Sequence, residues 1–286
     1  MTAILVGLVA AGLWGVAGLV NGRASRLVGA PLAVAWALLT GAVIVGVLAA
    51  GSGWQSDAEP ADWLWGLAAG VGTIGGLLLS YESYRRGKLG VVAPIVATQG
   101  AIAAVLAVAT GEPLGVGAGM ALAVIVLGVV IVAGGEPAEE HAERGRERRS
   151  LVAPLVALAG AASFGFGLFS ASQVGDDLNP FWVAFLPRVL GLAAVVVPVA
   201  LWGGMRLPRP VWPLAAVGGA LEVSGLVAFV VAARDDAAVA AVMSSQFAIV
   251  TALGGYMLWG ERIGRVQVAG VALVLAGVAG LTLLRA

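Results

Sequence analysis

The sequence has no cysteine and only one histidine, His141. Disulfides, thiolate metal sites, iron–sulfur clusters and haem held by paired histidines are therefore excluded, and we expect neither a metal site nor a cofactor. Charge is also scarce, because only 11% of the residues are Asp, Glu, Lys or Arg, against about 25% in typical soluble domains. The net charge of zero argues against nucleic acid as a partner.

In place of charge the chain has long apolar runs. Hydrophobic residues make up 60% of it, and 43 residues are glycine. A helix needs roughly 20 mostly apolar residues to cross a bilayer. The runs therefore predict an all-α polytopic membrane protein in contact with lipid, with ten transmembrane helices at residues 3–20, 32–50, 62–81, 91–109, 114–133, 151–172, 181–202, 211–233, 237–259 and 266–284.

The basic residues divide unequally between the two sides of this bundle. Of the 16 Lys and Arg residues, thirteen fall in loops on the side opposite the termini: Arg23, Arg26, Arg85, Arg86, Lys88, Arg144, Arg146, Arg148, Arg149, Arg206, Arg209, Arg262 and Arg265. Only Arg234 and Arg285 fall on the terminal side. Because short loops rich in Lys and Arg stay in the cytoplasm, we expect a plasma-membrane protein with both termini outside and the odd-numbered loops inside.

A charged segment at residues 136–150 divides the chain into a first half, residues 1–135, and a second half, residues 151–286. Its interleaved Glu and Arg have no apolar face, so we expect a solvated cytoplasmic linker. Short motifs recur in the two halves at offsets of 149 to 151 residues, as in TGEPLG at 110–115 and WGERIG at 259–264. Five helices in each half, an odd number, would invert the second repeat relative to the first, as in many secondary transporters.

Two of the repeated motifs are specific. Gly111-Glu112 and Gly260-Glu261 close predicted helices 4 and 9, and an aromatic residue precedes glycine in helices 1 and 6, at Trp14-Gly15 and Phe164-Gly165. With the five-plus-five pattern, these features resemble the EamA family of the drug/metabolite transporter superfamily. The segments 84–114 and 163–169 (SFGFGLF) are similar to a branch of that family common in actinobacteria.

The resemblance implies transport by alternating access, through a central cavity surrounded by helices 1, 3, 4, 6, 8 and 9. One feature departs from it. Many members of the wider family keep their termini in the cytoplasm, whereas the loop charges of this chain place them outside.

Two charged residues fall inside predicted helices, Arg188 in helix 7 and Glu222 near the middle of helix 8. An ion at the bilayer centre costs roughly 2.5 to 3.5 kcal/mol on insertion scales, so both are candidate substrate-binding residues. A structural ion pair between them is the alternative. A buried carboxylate also suits proton coupling, since it can take up and release a proton as a carrier turns over.

Further polar and aromatic residues at similar depths complete the candidate substrate site: Trp14, Gln99, Ser244, Ser245 and Gln246. For the serines the alternative is hydrogen bonding between helices, and for Trp14 it is core packing. Three acids at helix ends are candidate gating residues: Glu82, Glu112 and Glu261. Glu82, beside Arg85 and Arg86, is alternatively a solvated acid at the membrane interface.

The sequence thus predicts a secondary transporter, monomeric or homodimeric, that moves a small polar or amphipathic organic metabolite by alternating access. It has no GxxxxGK[ST] motif, so the energy must come from a gradient of substrate, protons or another ion. We do not expect an enzyme, because the single histidine lies in the linker and leaves no Ser–His dyad for the bundle. A channel or a non-transporting structural membrane subunit is the alternative.

Overall fold

The computed structural model describes residues 2–53, 57–110, 115–134, 151–260 and 264–285, and every regular element in this part of the chain is helical. The helices are α1 (Thr2–Val28), α2 (Ala30–Gly51), α3 (Pro60–Arg86), α4 (Leu89–Val96), α5 (Gln99–Ala109), α6 (Val116–Gly134), α7 (Val152–Ser172), α8 (Pro180–Gly191), a π-helical turn (Leu192–Val196), α9 (Val197–Trp202), α10 (Trp212–Asp235), α11 (Ala237–Ser244), α12 (Phe247–Trp259) and α13 (Arg265–Arg285).

Within the described residues, six helical segments are long and apolar enough to cross a membrane: α1, α2, α3, α7, the segment Pro180–Trp202, and α10. Shorter apolar helices lie at Leu89–Ala103, Phe247–Leu258 and Val268–Gly277. Large apolar side chains such as Leu5, Val43 and Leu64 are exposed on the outside of the bundle. This arrangement suits a protein whose surroundings are lipid.

Two segments that the sequence predicted as continuous helices, 91–109 and 237–259, are each broken in two. The first break follows Val96, where both the backbone N–H and the hydroxyl of Thr98 bond to Ile95 O, at 3.1 and 2.7 Å. The second follows Ser244, where the Ser245 hydroxyl bonds to Ala241 O at 2.7 Å. Hydroxyls that bond back to nearby carbonyls compete with helical hydrogen bonding, so each helix tightens and restarts.

Two other helices run past their predicted ends, α1 to Val28 and α3 to Arg86. In α1 the added turns contain polar residues that find partners inside the protein. Asn21 Nδ2 donates to Gly218 O at 3.3 Å, and the Ser25 hydroxyl donates to Gly22 O at 3.0 Å. Because Asn21 Nδ2 and the Ser25 hydroxyl have partners inside the protein, the helix continues where hydropathy alone predicted a loop.

Helix α1 lies antiparallel to α10. Three hydrogen bonds join them in order along the pair: Ala3 N to Asp235 Oδ2 at 3.0 Å, Trp14 Nε1 to Glu222 O at 3.1 Å, and Asn21 Nδ2 to Gly218 O at 3.3 Å. Residue numbers rise along α1 while they fall along α10, which defines the antiparallel direction.

Helices α3 and α7 are antiparallel in the same way. Their backbones approach so closely that a Cβ on Gly72 would lie 2.5 Å from the Cα of Gly167, and further along the pair Gly160 packs against Ser80. Small residues permit this approach where lipid supplies no hydrophobic force between helices.

The two halves therefore pack against each other through their first and third helices. The first helix of each half packs along the third helix of the other half, α1 on α10 and α7 on α3, while α6 packs along α13. Because α1 and α3 run antiparallel to their partners, the second repeat is inverted relative to the first.

Candidate functional site

A central cavity lies where α1, α3, α7 and α10 meet α4, α5 and α12. Both halves contribute to its wall, and every residue that lines it is buried or half-buried, so the cavity lies inside the bundle. Counted as the space open to the centre of a water molecule, its volume is about 60 Å³. One water needs about 10–15 Å³ by that measure, so there is room for a handful of waters.

One part of the cavity wall is polar. Four buried side-chain atoms there have no hydrogen-bond partner: Asn21 Oδ1, Ser80 Oγ, Tyr81 OH and Gln99 Oε1. Asn21 and Tyr81 are neighbours on this wall. Buried polar groups are nearly always satisfied, so four unpaired atoms on the wall of one buried cavity indicate a place for water or a ligand.

The rest of the wall is apolar and aromatic. Phe164 and Leu168 contribute from α7, Leu226 from α10 and Phe247 from α12. Trp14 also lines the cavity, with its ring nitrogen bound to Glu222 O and its ring stacked on Phe229 at a centroid distance of 6.0 Å. A Cβ on Gly225 would lie 2.5 Å from the Trp14 ring, so a glycine is needed for this packing.

Glu222 is the acidic residue of the cavity wall, and it is paired with Arg188. Arg188 NH2 donates to Glu222 Oε2, and the two residues are 0% and 7% exposed. Arg188 does not line the cavity and reaches Glu222 from α8 past Gly41 of α2, where a Cβ would lie 2.8 Å from Arg188 Nε. Glu222 thus lies between the cavity and a fully buried arginine.

The helix that carries Arg188 is irregular. Directly after α8 the chain forms the π-helical turn, in which Val197 N donates to Leu192 O, five residues earlier. Pro198 follows and has no N–H for a regular helical bond. Single π-helical turns are frequent at functional sites.

The structure brings three of the predicted substrate-site residues, Trp14, Gln99 and Glu222, to one cavity, with Arg188 directly behind Glu222. Ser244, Ser245 and Gln246 are not among the residues that line it. Both serine hydroxyls donate to Ala241 O, at 3.1 and 2.7 Å, and Ser245 packs against Gly100 where the two broken helices meet. The structure therefore assigns these serines to the helix break.

Of the three predicted gating acids, only Glu82 lies within the described residues; Glu112 and Glu261 lie outside them. Glu82 accepts hydrogen bonds from Arg85 Nε at 2.8 Å and from Arg86, both one turn further along α3. Its ion pairs are thus local to one helix end. Among the described residues, no three His, Cys, Asp or Glu side chains are grouped so that they could hold a metal ion.

Sequence reasoning missed Asn21, Ser80 and Tyr81, which form the polar wall with Gln99. Predicted helix 1 ends at residue 20, which leaves Asn21 in a loop. Ser80 and Tyr81 lie at the end of predicted helix 3. A signal was present, because Asn21 is the only asparagine of the first half and directly follows a long apolar run.

Comparison with known proteins identifies the fold and the family. A solved structure titled "Crystal structure of protein" has the same fold, with a TM-score of 0.64 and 17% sequence identity over 99% of this chain and 96% of its own. No curated protein matches the chain. The profile of the EamA-like transporter family matches residues 1–134 and again residues 151–283. The predicted resemblance is thereby confirmed, although its actinobacterial branch stays a prediction. Matched over most of its length, in two copies, the chain belongs to the EamA-like transporter family.

Proposed function

We propose that this protein is a secondary carrier that moves a small polar or amphipathic organic molecule across the plasma membrane by alternating access. The observation that carries the proposal is the cavity between the two inverted halves, with four unpaired polar atoms in its buried wall. Membership of a transporter family supports it at the level of membrane transport. No chemical step is part of the proposal.

The proposed topology has ten spans, with residues 136–150 in the cytoplasm and both termini outside. Six helical segments are long and apolar enough for a span when only the described residues are considered. In this topology the broken pairs α4 with α5 and α11 with α12, together with α6 and α13, supply the other four. The antiparallel packing of α1 with α10 and of α3 with α7 supports the inversion of the repeats.

The cavity chemistry supports the substrate class. Asn21, Ser80, Tyr81 and Gln99 offer hydrogen bonds on one side, and Phe164, Leu168 and Phe247 offer apolar surface. Since Arg188 balances the charge of Glu222, the wall favours a substrate with hydrogen-bonding groups at one edge and an apolar remainder. An organic molecule larger than a few waters requires the cavity to widen, which suits a protein that changes conformation.

Proton coupling through Glu222 is the part of the proposal that needs movement. One carboxylate oxygen of Glu222 is occupied by Arg188. For the carboxylate to exchange a proton with the aqueous phase, the pair must part in one of the two open conformations. The cavity position of Glu222 gives it such a route once either side opens.

Counterflow in proteoliposomes tests the proposal. Compounds that raise the melting temperature of the purified protein would be loaded unlabelled into vesicles, and entry of a labelled trace would be followed. A carrier accumulates label transiently above equilibrium, because outward movement of unlabelled substrate returns the site to the outside. A channel equilibrates the label without overshoot, and a structural subunit moves none, so either result would contradict a carrier.

A further inference from the structure

In each half, an arginine links the first helix, or the loop after it, to the end of the third helix. We call each of these links a tie. In the first half, Arg26 near the end of α1 donates from Nε to Tyr84 O at 3.1 Å and from NH2 to Gly87 O at 3.0 Å. In the second half, Arg234 near the end of α10 donates to Leu178 O, in the loop after α7. Its Nε also lies 3.3 Å from Asp176 Oδ1 in the same loop.

The two ties occupy equivalent positions in the repeat. Arg26 and Tyr84 are 58 residues apart, and so are Asp176 and Arg234. The second pair is shifted by 150 residues from the first, which is the offset of the repeated motifs. The donor arginine lies on the first helix in the first half and on the third helix in the second half. The same two segments are therefore joined in both halves, with donor and acceptor exchanged.

Inversion of the repeats places the ties at opposite ends of the bundle. Ala3, at the start of α1, bonds to Asp235, the neighbour of Arg234, whereas Arg26 lies near the other end of α1. At about 1.5 Å per residue, the 27 residues of α1 separate these ends by about 40 Å.

Each tie also adjoins a cavity. Tyr84, which accepts from Arg26, lines the central cavity. Asp176 and Arg234 line a second pocket of about 190 Å³ between the ends of α7 and α10.

We propose that Arg26 and Arg234 are the gating residues at the two mouths of the central cavity, and that each opens while the other stays closed. The inference rests on the proposed alternating access. In the first half, Asn21 on α1 and Tyr81 on α3 line the cavity. In the second half, Leu168 on α7 and Glu222 on α10 line it. A bond between the ends of these helices closes the cavity at that end, and its loss lets them separate. Both ties are formed in this conformation, so both gates are closed in it.

In the tie at Arg234, the bond to the backbone carbonyl is better protected from solvent than the ion pair. The Asp176 side chain is 84% exposed, so its ion pair with Arg234 is screened by solvent. Leu178, whose carbonyl accepts from Arg234, is fully buried. We therefore expect Asp176→Asn to open the gate much less than Arg234→Gln.

Cysteine accessibility tests the gates directly, because the chain has no native cysteine. Ala17→Cys reports on the central cavity towards the Arg26 end, and Ala171→Cys on the pocket beside Arg234; both positions are buried. Each reporter would be combined with Arg26→Gln, with Arg234→Gln and, as a matched control, with Arg209→Gln, an exposed arginine in the loop before α10. Maleimide labelling rates would be measured in detergent, where both ends face water and orientation does not matter.

Arg234→Gln should raise the labelling rate at Ala171→Cys several-fold without raising that at Ala17→Cys, and Arg26→Gln should do the reverse. The control should change neither. Equal increases at both reporters would indicate general loosening and would overturn the proposal, as would no change with either variant. Counterflow measured in parallel distinguishes failure of the gating proposal from failure of the proposed carrier function. A shift in labelling without counterflow would support the gates and contradict the carrier. Counterflow without a shift in labelling would contradict the gates.

Discussion

At the scale of single residues, Arg188 and Glu222 form an ion pair that is buried between helices. Arg188 also packs closely on Gly41, where a Cβ would lie 2.8 Å from Arg188 Nε. Removal of one partner would leave the other ion buried without its counter-charge, which costs far more than loss of an exposed pair.

We expect Glu222→Ala to lower the free energy of unfolding by about 3–5 kcal/mol, the usual cost of a buried ion left alone. The double variant Arg188→Leu with Glu222→Leu should recover most of that loss, because apolar residues of similar size can replace a buried pair. Unfolding in mild detergent, followed by circular dichroism, measures both. A loss for Glu222→Ala as small as that for Arg209→Gln would mean that the pair is not structurally important.

Glu222→Gln tests function at the same position. The amide oxygen can still accept a hydrogen bond from Arg188, but the counter-charge is lost, so we expect a loss of stability smaller than that of Glu222→Ala. The side chain can no longer exchange a proton, and transport is compared only in protein that circular dichroism shows to be folded. We expect uptake driven by a pH gradient to be lost while substrate exchange continues, since exchange need not move a proton. Unchanged rate and pH dependence in proteoliposomes would restrict Glu222 to packing and would favour Asn21 and Gln99 as the binding residues.

At the scale of helices, close backbone approach holds the halves together. A Cβ on Gly72 would lie 2.4 Å from the backbone nitrogen of Gly167, whereas one on Gly12 would meet nothing within 4 Å. These two glycines lie within long helices and differ in what faces them, so they form a matched pair.

We expect Gly72→Ala to destabilise the protein strongly, because two backbones must separate to admit the methyl group. Gly12→Ala should be neutral or should stabilise by up to about 1 kcal/mol through helix propensity. Melting temperatures of the two purified variants measure the difference. Equal effects would contradict the antiparallel contact between α3 and α7.

At the scale of the whole molecule, orientation in the membrane is still a prediction from loop charge. We expect an impermeant thiol reagent to label Asp177→Cys and not Arg209→Cys on intact cells, because the charge distribution places the first outside and the second inside. Both side chains are exposed, so access to reagent is comparable. The reverse pattern would invert the topology and agree with the wider family.

Much of the architecture follows from the sequence alone. Apolar runs of spanning length, the 149–151 residue offsets and the family motifs predicted a helical membrane protein with two repeats and an EamA-like identity. These properties depend on local hydropathy and on order along the chain, which need no knowledge of contacts. Local hydropathy predicted the wrong ends for α1 and α3, and it did not predict the breaks after Val96 and Ser244. These features depend on particular hydrogen bonds.

The site was decided by tertiary structure. The sequence marks Arg188 and Glu222 as ions inside the membrane. Helix packing pairs them and places Glu222, but not Arg188, on the cavity wall. Ser244 and Ser245 are small uncharged polar residues in an apolar segment, as Asn21 and Ser80 are. The hydroxyls of Ser244 and Ser245 bond back to their own helix, whereas Asn21 and Ser80 line the cavity. The equivalence of the ties at Arg26 and Arg234 likewise became visible only from contacts between residues 58 apart. Hydropathy fixes how deep a residue lies in the bilayer, whereas the direction it faces depends on how each helix rotates against its neighbours.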